Sequence, residues 1–415
     1  MNFKAFFILL ASTCTFLQVH AQTSNSYDQG KPIGWAMVNG QTTGGEGGTT
    51  VTVSTFNELK AQLSAFNTEK KIIYVSGTIE FSGFLEIRGV QNKTIYGLKG
   101  AVLSNPIHSA NKDESGIFYM RDCTNIIIRN LTFKSAGAYD IDGNDNLNVQ
   151  NGKYIWVDHC DFQDGVDGNF DCNNGSDYIC VTWCRFRYLI KPWAGGSGGS
   201  DNHCFTNLWG GSDKNASTDE GHLRTTFANC WWDEGCRERM PRIRFGQVHV
   251  LNCLYSSSNA NYCVGTGYRC NAYVEKCAFT SDKAKKTPWK NYATSGSYTD
   301  YNITVTGCLG ADDVQQRSGS IDYFIPSNVY TLEGFDVSLV ESVVGNETTG
   351  AGATLPNPEG AGVQSLSNDK ASVRAVEYYT LDGKQLSVKP VLAPFIQVTT
   401  LSNGKKETKK LIPNK

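Results

Sequence analysis

Little in this chain leans toward helix, toward one sign of charge, or toward a metal-binding cysteine pattern. The 38 Lys and Arg residues stand against 40 Asp and Glu, a net charge of -2, so the broad basic field of a nucleic-acid binder is missing. Past the first two dozen residues no apolar run approaches the roughly 20 residues needed to span a bilayer as a helix. Its 6 histidines are scattered and paired C-x-x-C spacing is lacking, which leaves a zinc site without support. Ala- and Leu-rich stretches are scarce, whereas 42 Gly, 19 Tyr, 20 Phe and many Thr, Val, Ile and Asn residues favour strands and turns. At 415 residues the chain has room for a large core and a second module. The expectation is an all-β protein.

The opening "MNFKAFFILLASTCTFLQVHAQ" has one early Lys, a short apolar core and Val19-His20-Ala21 before Gln22. This is the form of a cleavable secretory signal over residues 1–21, with Gln22 as the expected first residue of the exported chain. Cys14 offers a lipoprotein reading, but Ala11-Ser12-Thr13 lacks the Leu expected three places before such a Cys. Without Cys14, 13 of the 14 cysteines remain, an odd number that rules out complete pairing within the chain.

Those cysteines instead mark a repeat. The segments "IWVDHCDF", "ICVTWCRF", "TTFANCWW", "VHVLNCLY", "AYVEKCAF" and "ITVTGCLG" align as apolar-x-apolar-x-x-Cys, most with an aromatic two residues later. The column Cys160, Cys184, Cys230, Cys253, Cys277 and Cys308 steps by 24, 46, 23, 24 and 31 residues, a unit of about two dozen with occasional loop insertions. That period predicts a β-solenoid whose stacked coils line up like side chains in interior ladders. Cysteine suits such a ladder as a small buried hydrophobe, so free thiols are expected rather than disulfides.

Function then has to come from outward positions and inserted loops. In "DGVDGNFD" the alternation of side chains places Asp167, Asn169 and Asp171 on one strand face, and Asp145 of "GNDNLNV", one coil earlier, can lie beside them. Neighbouring carboxylates repel unless a cation sits between them, and a set of oxygen ligands suits Ca²⁺; alone, such a turn also reads as a solvated bend. Lys191 precedes the Gly-rich loop "GGSGGSDNHCFTNLWGG". The stretch "RERMPRIRFG" gathers Arg237, Arg239, Arg242 and Arg244, with Arg242 and Arg244 opposite in facing to Ile243 and Phe245. Guanidinium groups beside a calcium site would bind the carboxylates of an acidic polymer in bidentate fashion.

"IWVDHCDF", "DGNFDCNNGSDYICVTWCRF" and "RMPRIRFGQVHVLNCLY" closely resemble the pectate lyases of polysaccharide lyase family 1, and "GWAMVNGQTTGGEGGTTVTVSTFNELKAQL" resembles their opening. The likeness spans about residues 34 to 320. It implies a right-handed parallel β-helix, in line with the handedness of parallel crossovers, and Ca²⁺-dependent β-elimination of α-1,4-linked galacturonan. It implies further that Asp145, Asp167 and Asp171 bind calcium, that Lys191 and Arg244 bind substrate, and that Arg239 is catalytic. Many relatives carry another acid where this chain has Gly143, beside Asp142, so one calcium ligand is missing or replaced. The Cys ladder position is commonly Asn in that family. Asp158 and His159 resemble a catalytic pair but are expected to be structural. Trp193, Trp209, Trp231 and Trp232 are candidates to line a sugar cleft, with Trp232 equally placed for the core.

Residues 346–372 are rich in Gly, Pro, Ser, Thr and Asn and read as a linker. Beyond it, over 373–415, "VEYYTLDGKQLSV" and "FIQVTTLSNGKKETKKLI" each place Asp-Gly or Asn-Gly between alternating strands, the signal of two β-hairpins in a small C-terminal β module. It resembles modules on secreted enzymes of Gram-negative bacteria. The whole is expected to be a secreted monomer acting on polygalacturonate or pectin, with no membrane span and no nucleic-acid partner. A pectin lyase acting on methyl-esterified polymer and a non-catalytic galacturonan-binding solenoid are the competing readings. A polygalacturonase would need paired acid and base carboxylates in signatures absent from this chain.

Overall fold

The computed structural model describes residues 25–293, 296–358, 373–390, 393–401 and 406–411. The expected leader with Cys14, and residues 359–372 of the expected linker, lie outside them. The chain divides into two compact units between Asn357 and Pro358.

The first unit is a parallel β-helix. Three short strands per coil stack into three sheets, one of eleven strands and two of eight, and successive coils pair in parallel register. Such pairing needs the same few residues to recur at the same step, which is what the cysteine column records. In the eleven-stranded sheet Ile155, Val157 and Thr182 meet Ile179, Val181 and Asp158. Its last strand, Val314–Ser318, turns back antiparallel to Tyr301–Thr306.

The corners explain the cysteines. Each cysteine of the repeat column follows a residue in the left-handed backbone region: His159 (φ 45), Trp183 (50), Asn229 (57), Asn252 (48), Lys276 (49) and Gly307 (58). Asn and Gly enter that region readily, but the bulkier residues do so at a cost, so the coil geometry prevails over local preference there. The thiol that follows donates to a carbonyl of the coil below, Cys184 Sγ to Val157 O at 3.6 Å and Cys230 Sγ to Val181 O at 3.4 Å. The Cys230 and Cys253 amides face the next thiol up, both at 3.4 Å. No disulfide forms among the described cysteines, all of which are buried except the half-buried Cys308.

The aromatic column of the repeat becomes a stack through the interior. Phe133, Phe162, Phe186, Trp232, Tyr255 and Phe279 follow one another with ring centroids 4.8, 5.3, 5.5, 4.8 and 4.5 Å apart, tilted by no more than 17°. Trp232 is therefore core. Trp209 is fully enclosed and Trp231 is 7% exposed, so neither offers a face to a sugar; Trp193 is 40% exposed, with the His108 ring stacked on it.

Asp158 and His159 are structural, as expected. Asp158 is wholly buried and accepts from Arg129 Nε at 2.6 Å and Thr182 Oγ1 at 2.6 Å, with His159 Nδ1 at 2.8 Å. Burial alone would raise its carboxyl, but His159 and Arg129 outweigh this and hold it below the usual range.

The segment read as linker begins later than its composition suggests. Leu355 exchanges two hydrogen bonds with the Asn130 side chain, and the Tyr96 hydroxyl donates to Pro356 O at 2.9 Å. Gly- and Pro-rich composition marks irregular backbone, and irregular backbone can still be strapped to a surface by side-chain amides. In the second unit, strands Val373–Tyr379, Gln385–Leu386, Phe395–Leu401 and Lys406–Leu411 form an antiparallel sheet with two hairpins, the first turning at Gly383 with φ 91°.

Two outcomes are expected. A thiol titration of the chain from Gln22 should count 13 reactive groups after denaturation, with most silent in the native state; a lower denatured count would reveal disulfides. Phe162→Ala, by breaking the aromatic stack, should destabilise the helix by about 3–5 kcal/mol in a denaturant melt.

Candidate functional site

Four adjacent strands of one eight-stranded sheet, Leu147–Gln150, Phe170–Asn173, Leu208–Trp209 and Arg242–Ile243, carry the site on their outer face. The register sets Asn148 beside Asp171, and Leu208 beside Arg242. Val149, Cys172, Trp209 and Ile243 form the matching inward row. Asp145, Asp167 and Arg239 stand in the turns that lead into these strands.

Asp145 is 4% exposed. Its Oδ2 accepts from Asn148 Nδ2 at 2.8 Å, while its Oδ1 is buried without a partner. Asp171 accepts the Leu208 amide at 2.8 Å. Burial raises the Asp145 carboxyl well above the usual range, and the charges of Asp171 and Asp167 push it further. Burial likewise lifts Asp171 to about 7, against the opposing pull of Arg239 and the Leu208 amide. Between the two carboxylates lies Gly168, where a Cβ would stand 2.6 Å from Asp145 Oδ1 and 3.2 Å from Asp171 Oδ1. A missing side chain thus keeps open a gap edged by carboxylate oxygens, one of them orphaned. Such a gap fits an oxygen-liganded cation such as Ca²⁺.

Asn169 does not join this face. It is fully buried, and its Oδ1 accepts from Asn146 Nδ2 and the Gly165 amide, because residues 167–169 form a turn rather than a strand and period-two alternation starts only at Phe170. Asp142 sits exposed at a left-handed turn with φ 53°.

Arg239 is held in the left-handed region, φ 59°, with its carbonyl taking the Asn207 amide at 2.7 Å and the Thr206 hydroxyl. Its guanidinium lies 4.6 Å over the Phe205 ring, its Nε is buried and unpaired, and its charge acts on both Asp145 and Asp171. Arg244 is fixed by Asp213 Oδ1 at 2.6 Å from Nε and by Gly210 O at 2.7 Å from Nη1. Arg242 packs 4.3 Å over Tyr292, and burial together with the Arg244 charge lowers its pKa. Lys191 is exposed and makes no ion pair among the described residues. Its segment is anchored where the Leu189 and Ile190 amides donate to Asp164 Oδ1 at 2.6 and 2.8 Å. Asp145, Asp167, Asp171 and Arg239 are thus gathered into one cluster, Arg244 lies one step along the sheet, and Lys191 contacts none of them.

Sequence reasoning missed the anchors: Asp164 under the Lys191 segment, Asp213 against Arg244, and His203, whose Nε2 is 3.0 Å from Asp167 Oδ1. Only "SDNHCF", at the end of the Gly-rich loop, carried any signal for His203. A separate hollow of ≈ 310 Å³, bordered by Asp28, Thr182, Trp183 and Asn229, lies against the eleven-stranded sheet. The acid cluster lies on a different, open sheet face, the form of surface that a polymer can cross.

Comparison with known proteins bears on the family and the fold. The family model described as pectate lyase matches residues 7–354. A probable pectate lyase B of Aspergillus terreus is 30% identical over 322 residues, covering 76% of this chain and 87% of that protein. The pectate trisaccharide-lyase of Thermotoga maritima is 35% identical over 239 residues, 54% of this chain and 57% of its own. Among solved structures, a pectate lyase from Paenibacillus has the same fold, with a TM-score of 0.62 at 16% identity over 80% of this chain and 98% of its own. With a stacked parallel β-helix and a family match across most of its length, the chain belongs to the pectate lyase family of polysaccharide lyases.

Proposed function

We propose that this chain is a secreted pectate lyase that cleaves α-1,4-linked polygalacturonan by Ca²⁺-dependent β-elimination, releasing oligogalacturonides with an unsaturated end. The observation that carries the reading is the gap above Gly168, edged by Asp145 and Asp171 with Asp167 close by, and with the Arg239 charge acting on the same acids. A methyl ester would have no use for that charge, so the acids favour the de-esterified polymer.

Asp145, Asp167 and Asp171 would hold the calcium. When bound, the ion neutralises the uronate carboxylate and thereby makes the C5 proton easier to remove. Arg244, steered by Asp213 and Gly210, can pair with a second uronate, and exposed Lys191 can reach a carboxylate of the chain lying across the sheet. Arg239 faces C5. In the elimination, the C5–H bond breaks with its proton passing to the Arg239 side. The electron pair forms the C4=C5 bond, and the C4–O bond breaks with its electron pair going to the departing sugar oxygen, which takes a proton from water to become a hydroxyl. Guanidinium groups release their proton only at high pH, and a base must be in the right form to act. Activity should therefore rise with pH through the neutral and alkaline range.

The decisive assay follows the ultraviolet absorbance of the unsaturated uronate on polygalacturonate and on highly methylated pectin, with calcium and with chelator. Calcium-dependent activity on polygalacturonate is expected, falling at least about 10²–10³-fold in Arg239→Ala. Chelator-insensitive activity confined to methylated pectin would make this a pectin lyase; no activity on either would leave a binding protein.

Calcium should also stabilise the fold, more at pH 8 than at pH 5. In the metal-free protein the raised pKa of Asp171 means that stability is lost as pH rises from about 4 through about 7. Calcium has to displace those protons at low pH and meets open carboxylates at high pH. Thermal melts with and without calcium measure the difference, and Gly168→Ala should abolish the calcium increment by filling the gap.

A further inference from the structure

A second group of ligands borders the first. Asp140 is fixed by the Gly-rich loop: the Gly198 amide donates to its carbonyl at 2.7 Å and the Ser200 amide to its Oδ2 at 2.8 Å. Gly196 and Gly198 lie so close that a Cβ would come within 2.2 Å of the Asp140 carbonyl and 2.0 Å of its Oδ1, respectively. The loop therefore closes on Asp140 only because it is glycine there. At its end stands His203, with 8% of its side chain exposed and its ring 4.2 Å from that of Phe205. Nε2 is 3.0 Å from Asp167 Oδ1 and Nδ1 is 3.4 Å from Asp140 Oδ1. Neither ring nitrogen makes a hydrogen bond. One ligand atom from each of Asp140, Asp167 and His203 lies within 4.8 Å of the other two.

Each nitrogen thus faces a carboxylate without hydrogen-bond geometry, and buried polar atoms lacking a hydrogen bond are costly, so two on one ring call for an explanation. First-row divalent ions hold His nitrogen and carboxylate oxygen at about 2.0–2.2 Å, so two ligands at right angles on one ion are about 3.0 Å apart. This is the separation of Nε2 from Asp167 Oδ1. The other ring nitrogen faces a carboxylate, the arrangement that fixes tautomer and orientation in metal-bound histidines. Calcium takes oxygen ligands, whereas imidazole draws transition ions. We propose that His203 Nε2 and Asp167, with Asp140 orienting the ring, form a second cation site of mixed nitrogen and oxygen character, selective for first-row divalent transition ions. Asp167 belongs to both groups, so an ion at His203 changes calcium affinity at Asp145 and Asp171, and calcium changes its affinity in return.

The test uses Mn²⁺ as probe on the metal-free full chain and does not depend on turnover. Pulsed electron paramagnetic resonance should show modulation from an imidazole nitrogen, absent in His203→Gln and retained in Asp145→Asn, which alters only the oxygen group. Equilibrium titration should show Mn²⁺ affinity falling at least about 10-fold in His203→Gln, with Zn²⁺ competing in the wild type and circular dichroism confirming that the variant folds. Bound Mn²⁺ without nitrogen modulation in the wild type, or no binding, would overturn the site whatever the outcome of the lyase assay. A signal lost in Asp145→Asn but kept in His203→Gln would overturn it as well.

Discussion

Parallel backbone pairing between coils is the constraint on which everything else in this molecule rests. Stacked strands bring side chains from successive coils to a common spacing of about 4.8 Å, and each interior position becomes a column. The aromatic stack from Phe133 to Phe279 and the thiol ladder from Cys160 to Cys308 are two such columns. The same rule governs the outer face. Because Asn148 pairs with Asp171 and Leu208 with Arg242, acidic and basic groups distant in sequence come to lie in a short row. The fold needs no dedicated pocket to assemble them.

The site departs from the regular ladder in ways that set its charge state. Asp145, Asp167 and Arg239 are supplied by turns just ahead of strands, where backbone geometry is irregular: Arg239 is left-handed, and Gly168 and Gly198 occupy places no side chain can share without displacing a carboxylate. Burial keeps Asp145 and Asp171 short of water, and their protons bind tightly in consequence. The stability lost in holding these carboxylates together is what a cation bound there would recover. Arg244, by contrast, is neutralised in place by Asp213, which orients it and tempers its field.

Periodicity made most of the helix legible. The cysteine column, the aromatic two residues later and the apolar pairs before it follow directly from period-two strands recurring at a fixed step, so sheets and core could be read from sequence. The acids before Phe170 and the arginines around Pro241 were legible as a charge pattern and through family resemblance. Asn169 misled because alternation was extended one turn too early, and Trp209 and Trp231 because aromatic character carries no sign of which way a side chain faces. His203 and Asp140 stayed hidden, since 63 residues separate them and only the docking of a glycine loop brings them together. The strap at Leu355 was equally invisible, its anchor Asn130 lying 225 residues away.

The unpaired thiol ladder also bears on where and how the chain can fold. A fold closed by coil stacking, with no disulfide among the described residues, draws none of its stability from an oxidant or a disulfide isomerase. In an oxidising compartment the thirteen thiols are a hazard until the coils close over them, because adjacent rungs can be linked in the wrong order while the chain is open. Coil winding and thiol oxidation therefore run as a race, and once the coils close, with burial pushing most of the thirteen thiols away from the thiolate form, the finished helix is chemically quiet.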